Sequence, residues 1–203
     1  EQSKKVGIWI RVSTDDQVKG DSPEHHERRA KMYAESKGWE VAAIYRLDAM
    51  SGKSVMGYPE IKQMLDDILF GIARDNECSR IVCELLEYPG WYSLLCKKSL
   101  ATDYINAKWQ FAESLKDYNG QNGVHELIFE FLNVADEYTE RLALKSLAHI
   151  YPDKAEKYAI EFWWRNKYKD DYGAEYQKIM VLHVLNIIHS NELEKYLDLA
   201  DQT

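Results

Sequence analysis

The sequence predicts two organisations in one chain: a partial α/β segment with parallel strands over residues 1–72, then an all-α helical repeat over residues 73–203. Three observations lead there. Residues 5–70 alternate short β-branched runs with amphipathic helical stretches. From about Asp75 onward only helical patterning is found. Within that second part, stretches align with one another at shifts of 32 and 38 residues.

Val6 to Ile10 is a short apolar run and predicts a first strand, buried as parallel strands are. Ser22-Pro23-Glu24 is a helix start, with Ser as N-cap, Pro in the first turn and an acid behind it. The helix should run to about Lys37 and stop at Gly38, where a left-handed C-cap suits glycine. Trp39 to Arg46, with Val41, Ile44 and Tyr45, predicts a second strand. Pro59 opens a second helix that lines up Ile61, Met64, Leu65 and Ile68 on one face. A helix between two strands implies parallel strands joined by a right-handed crossover.

Further helices are expected near 75–87, 91–100, 103–117, 124–133, 136–150, 152–166, 174–189 and 191–201. Pro89-Gly90, Asn119-Gly120 through Gly123, Pro152 and Gly173 separate most of them. Leu142 to Ile150 aligns with Met180 to Ile188 at a shift of 38, and Phe111 to Leu115 with Ala143 to Leu147 at a shift of 32. Each unit is followed by a second amphipathic helix. The pattern resembles a HEAT-type repeat, in which helix pairs stack into a solenoid. An irregular helical bundle is the alternative.

Composition narrows the function classes. The 203 residues are 45% hydrophobic, which suits a globular chain. No apolar stretch approaches the length of a membrane span, and the N-terminal residues do not read as a secretory signal. Cys78, Cys83 and Cys96 form no Cys-x-x-Cys pair and are expected to be reduced, half-buried thiols, which places the chain in the cytoplasm. The six histidines are not at metal-ligand spacing, so neither metal nor cofactor is expected. Residues 1–72 carry a net charge of −1 and residues 73–203 a net of −7. An acidic second part is a poor ligand for a phosphate backbone through bulk electrostatics. Trp91-Tyr92 and Glu161-Phe-Trp-Trp-Arg165 could stack on bases, but helix packing is the commoner use of such aromatics. Arg165, Lys167 and Lys169 read as a solvated helix end.

The chemistry-bearing stretch is Trp9-Ile10-Arg11-Val12-Ser13-Thr14-Asp15-Asp16-Gln17. Ser13 lies just past the carboxyl end of the first strand, where open α/β sheets bind ligands. Arg11 precedes it by two residues. A hydroxyl nucleophile beside a guanidinium suits phosphoryl chemistry, because the guanidinium grips phosphate oxygens and offsets developing charge.

This string resembles the Arg-Val-Ser-Thr-x-x-Gln signature of serine recombinases, the resolvase–invertase and large integrase group. The likeness continues through Ser22-Pro-Glu-His-His-Glu27, Tyr33 to Glu40, Tyr45-Arg-Leu-Asp48, Ser51-Gly-Lys-Ser54 and Pro59 to Ile68, about a third of the chain. It implies that Ser13 attacks a DNA phosphodiester and holds a phosphoserine link while strands exchange, with Arg11 on the scissile phosphate. Gln17, Asp48 and Ser51 fall on family positions that orient groups or contact phosphate; loop capping is their alternative role. His26 stands where family members often carry Gln. DNA is the partner the resemblance implies, with homo-oligomerisation possible.

The family pattern continues with a third strand and a Leu-x-Arg-Leu-x-Arg motif that completes the phosphate site. Here Ile68-Leu-Phe-Gly-Ile-Ala73 runs into Arg74-Asp-Asn-Glu-Cys-Ser-Arg80 without that motif. Two functions are therefore expected to compete. One is a recombinase relative that is catalytically incomplete. The other is an acidic helical-repeat module that binds a protein or peptide and carries a recombinase remnant.

Overall fold

The computed structural model describes residues 4–11, 22–47, 59–75, 78–120, 123–165 and 172–201. The chain forms two compact units, Glu1–Ile68 and Leu69–Thr203. Among the described residues, no helix is long and apolar enough to cross a membrane.

The first unit holds β1 (Lys5–Arg11), α1 (Pro23–Ser36), β2 (Glu40–Leu47) and most of α2 (Pro59–Arg74). The order is the expected strand, helix, strand, helix. β1 and β2 pair in parallel from Lys5↔Glu40 to Arg11↔Leu47, with a register shift between Val6 and Gly7. Gly7 leaves room there: a Cβ would make a tight 3.3 Å contact with the Tyr45 ring. Ile8 and Ile10 are the buried centre, with Ala30 of α1 and Val41 and Ile44 of β2 packed on them. The alternation that buries Ile8 and Ile10 is the period-2 signature of a strand.

Local chemistry sets the ends of α1. The Ser22 hydroxyl accepts from the His25 N–H at 3.3 Å, and Pro23 occupies the first turn. At the other end Gly38 adopts φ +68°. Its N–H bonds the Glu35 carbonyl at 2.9 Å and the Trp39 N–H bonds the Ala34 carbonyl at 2.9 Å. This paired closure is a Schellman motif, and its apolar contact is the edge-to-face pair of Trp39 with Tyr33. On α2, Ile61, Met64 and Leu65 are buried at helical spacing, continued by Leu69 and Ile72; Ile68 is half-buried.

The second unit is helical throughout its described residues. It contains the end of α2, then α3 (Arg80–Leu85), α4 (Pro89–Leu100), α5 (Ile105–Ser114), α6 (Ile128–Phe131), α7 (Glu137–Ile150), α8 (Pro152–Trp163), α9 (Gly173–Ile187) and α10 (Leu193–Asp201). The helix expected over 75–87 is shorter than the sequence suggests. α2 runs on to Arg74, and Asp75 turns its carboxylate to accept from the Ile81 N–H at 2.9 Å, so it caps α3 from six residues away. The expected 124–133 helix is a 3₁₀ turn (Val124–Leu127) followed by the single α-turn α6. Asp136 caps α7, accepting from the Thr139 N–H at 2.8 Å and its hydroxyl at 2.6 Å.

α7 is the hub of this unit. It packs against α5, α6, α8 and α9, and α9 packs in turn against α8 and α10. Leu142, Ala143, Leu144, Leu147 and Ala148 of α7 are all buried, as a helix covered on several sides requires. Two buried polar side chains are tied to backbone of another element. Gln110 donates to the Ile72 carbonyl at 2.8 Å and the Asn106 carbonyl at 2.7 Å, and Ser146 donates to the Glu113 carbonyl at 3.0 Å.

Aromatics build the core. Tyr92 stacks on Tyr118 at 4.8 Å, meets Phe111 edge-on, and its hydroxyl is 2.8 Å from the Ser114 hydroxyl. Phe162 and Trp163 are buried, and the exposed Trp164 donates its indole N–H to the Tyr196 hydroxyl at 3.3 Å. The residues that could have stacked on bases are thus used largely for packing. Two expectations need correction. Arg165 is not a free solvated helix end: it binds the fully buried Glu140 carboxylate at 3.1 Å. Nor are the thiols all half-buried: Cys78 and Cys83 are exposed, whereas Cys96 is enclosed and burial pushes its thiol pKa well up.

Candidate functional site: the carboxyl edge of the parallel sheet

Parallel pairing puts the carboxyl ends of both strands at one edge. Arg11, the last residue of β1, is registered with Leu47, the last residue of β2. The chain therefore enters 12–21 and 48–58 from the same edge, the position at which open α/β sheets place their ligands. These two segments carry Ser13 and Gln17, and Asp48 and Ser51. All four lie outside the described residues. Of Arg11 the structure describes the backbone, which ends the strand. What the fold establishes is that the two strands end at one shared edge.

The side chains just below this edge are described. Arg46, registered with Ile10, binds the Glu27 carboxylate through Nε at 2.8 Å and through its terminal nitrogen. Lys31 reaches the same carboxylate from one turn along α1. Hydrogen bonds from Lys31 and then Arg46 hold Glu27 below the usual carboxylate range. This network ties α1 to β2 and engages Arg46, one residue before the end of β2. Next to it, the Tyr45 hydroxyl donates to Asp67 of α2 at 2.8 Å, and Gln63 donates to the other Asp67 oxygen at 2.8 Å. Burial, and then the bond to Asp67, raise the Tyr45 phenol to about 12. In the sequence Tyr45 and Arg46 stand out only as strand residues and as part of the matching string. Their partners lie 22 and 19 residues away and carry no local signal.

No third strand follows α2 among the described residues. Arg74 is the last residue of α2 and Arg80 the first of α3, both exposed on helices. No group of three or more His, Cys, Asp or Glu is arranged to hold a metal ion among the described residues.

Comparison with known proteins gives the family of this part of the chain. The family described as Resolvase, N terminal domain, matches residues 6–81. Over that stretch the chain belongs to the resolvase family. The match begins in β1, spans the sheet and both helices of the first unit, and reaches the start of α3. The resolvase segment is also 37% identical over 70 residues to an uncharacterized immunity region protein 3 of Bacillus phage phi105. Those 70 residues are 34% of this chain but 84% of the phage protein. In that relative the resolvase-like segment makes up nearly the whole protein. No solved structure matches the chain.

Proposed function

We propose that this chain is a serine recombinase relative that does not exchange DNA strands by itself. Its DNA-phosphate site would be the carboxyl edge of the sheet, with Ser13 as nucleophile, Arg11 on the phosphate, and Gln17, Asp48 and Ser51 as orienting groups. Attack by the Ser13 hydroxyl would form a phosphoserine ester and release a strand end, and negative charge would build on the phosphoryl oxygens. That charge needs fixed donors, and losing one such donor typically costs about a hundredfold or more in rate. The observation that supports incompleteness is the run of chain after α2. It passes directly into α3 and α4 where the family pattern continues with a strand and an arginine motif. DNA as partner and self-association are carried over from the family, and a cytoplasmic setting goes with them. Incubation of the purified chain with supercoiled DNA, followed by a denaturing gel, should show no covalent adduct. An adduct that disappears with Ser13→Ala overturns the proposal.

A second reading, that the helical part is a protein-binding module, is favoured by its net charge of −7 and by exposed Ile179 and Leu197 on neighbouring helices. A HEAT-like solenoid is the arrangement this reading uses.

A further inference from the structure

We propose that the groove between α9 and α10 is the docking site for a basic amphipathic helix of a partner protein. This rests on the reading of the helical part as a binding module and not on the recombinase reading.

The groove has a volume of about 320 Å³ and is lined by Ile179, Leu182, His183 and Asn186 of α9 and Leu193 and Leu197 of α10. The α9 residues recur at i, i+3, i+4 and i+7, and the α10 residues at i and i+4, so each helix offers one continuous stripe. Ile179 and Leu197 are 51% and 45% exposed. On α9 the opposite face is buried, through Val181, Val184 and Leu185; on α10 the buried residue is Tyr196, next to Leu193 round the helix. α9 therefore carries apolar residues on two sides, and only one of them is covered. A helix apolar on two sides normally packs on two sides.

The shape of the missing neighbour follows from the 38-residue correspondence. Leu182 and Asn186 of α9 correspond to Leu144 and Ala148 of α7. In α7 both positions are buried, while Arg141 and Lys145, the counterparts of Ile179 and His183, are half-buried; the α7/α8 pair is the one against which α9 packs. One repeat later, the α9/α10 pair presents the equivalent positions half-buried and exposed. What seats on the first pair is a helix, so the second pair is shaped for another.

Charge specifies which helix. Glu175 falls on the same strip of α9 as Ile179, Leu182 and Asn186. On α10, Glu194, Asp198 and Asp201 form the strip next to Leu193 and Leu197, on the side away from Tyr196. All four carboxylates are exposed. The two nearby lysines point elsewhere: Lys178 lies over the Trp163 ring and Lys195 binds Glu192. An apolar groove rimmed by carboxylates complements a helix with an apolar stripe and lysine or arginine flanks.

The test uses the full chain and a labelled synthetic helix with leucine at i, i+3, i+4 and i+7 and lysine flanks, read by fluorescence anisotropy. The peptide should bind the wild-type chain, and Ile179→Glu and Leu197→Glu should each weaken it at least about tenfold. Both sites are exposed, and unchanged far-ultraviolet circular dichroism checks that the fold is kept. Glu194→Lys with Asp198→Lys should also weaken binding, and raised salt should do the same to the wild type. Equal affinity for the wild type and the groove variants overturns the docking site while leaving the binding-module reading in place. Failure of any basic helix to bind overturns both. Sedimentation that shows self-association abolished by Ile179→Glu reassigns the groove to a second copy, and displacement of the peptide by duplex DNA reassigns it to nucleic acid; each overturns the proposal.

Discussion

Tyr45 and Asp67 show how much of the first unit depends on single side-chain bonds between elements. The Tyr45 phenol is held neutral by burial and by its bond to Asp67, with its pKa raised to about 12 against an ordinary value of 10. A folded pKa above the unfolded one means that the folded state keeps its proton longer. The stabilisation is therefore complete below about pH 10 and is lost as pH rises from 10 through about 12. Urea midpoints measured between pH 8 and 12 should fall more steeply for the wild type than for Tyr45→Phe. The phenolate absorbance missing from the variant should be the part of the wild-type titration that appears near pH 12. The same scale holds the residues that local reading misses. Glu27 with Arg46, Asp75 with Ile81 and Glu140 with Arg165 are pairs whose members lie on different elements or across a loop. Nothing in the neighbouring sequence of either member announces the other. Ser22 and Gly38 are the opposite case, because capping chemistry acts over three or four residues and is written locally.

At the scale of the element, helix ends carry the most information. α1 and α9 close with the same hydrogen-bond pattern but different residues. At the end of α9 the His189 N–H bonds the Asn186 carbonyl at 3.1 Å and the Ser190 N–H bonds the Leu185 carbonyl at 2.9 Å. The residue in the left-handed position is His189, at φ 52°, where α1 has Gly38 at φ +68°. A side chain there costs about 1 kcal/mol that glycine does not. His189→Gly is expected to raise stability by up to about 1 kcal/mol, and Gly38→Ala to lower it by about the same amount. Each change corresponds to a shift of roughly 2–4 °C in thermal midpoint for a chain of this size. Opposite signs in calorimetry support the cap assignment; shifts in the same direction count against it. The helix expected over 75–87 failed at this scale, because the polar sequence from Asp75 to Ser79 does not show that α2 already extends to Arg74.

For the whole molecule, charge is the property that decides which partners can approach. Leu69–Thr203 has the same net charge of −7 as residues 73–203, since no charged residue lies between 69 and 72. A surface of that sign releases few counterions from duplex DNA, and a protein that neutralises few phosphates binds weakly and loses that binding quickly with salt. The full chain is expected to pass through a heparin column at about 0.1 M salt, and to show no gel shift of nonspecific duplex DNA at that salt. Retention to high salt would place a basic surface where the composition gives none. The two-unit organisation also belongs to this scale. The resolvase match ends at residue 81, beyond the point where the compact units divide, so family membership and compactness draw different lines through α2 and α3.

By itself the sequence determined the class of each part: parallel strands separated by a capped helix, then helices alone, and membership of the resolvase family over the first part. These follow from periodicity, caps and a motif, all of which are short-range properties of the chain. Tertiary structure decided what short range cannot. It set the register that brings Arg11 level with Leu47, so that both strands end at one edge. It gave Arg46 to Glu27 and Arg165 to a buried carboxylate. It buried Leu144 and Ala148 of α7 and left their counterparts Leu182 and Asn186 half-buried and exposed. The reason is common to all three: a side chain's partner is fixed by which elements pack together, and packing is chosen by the whole chain at once.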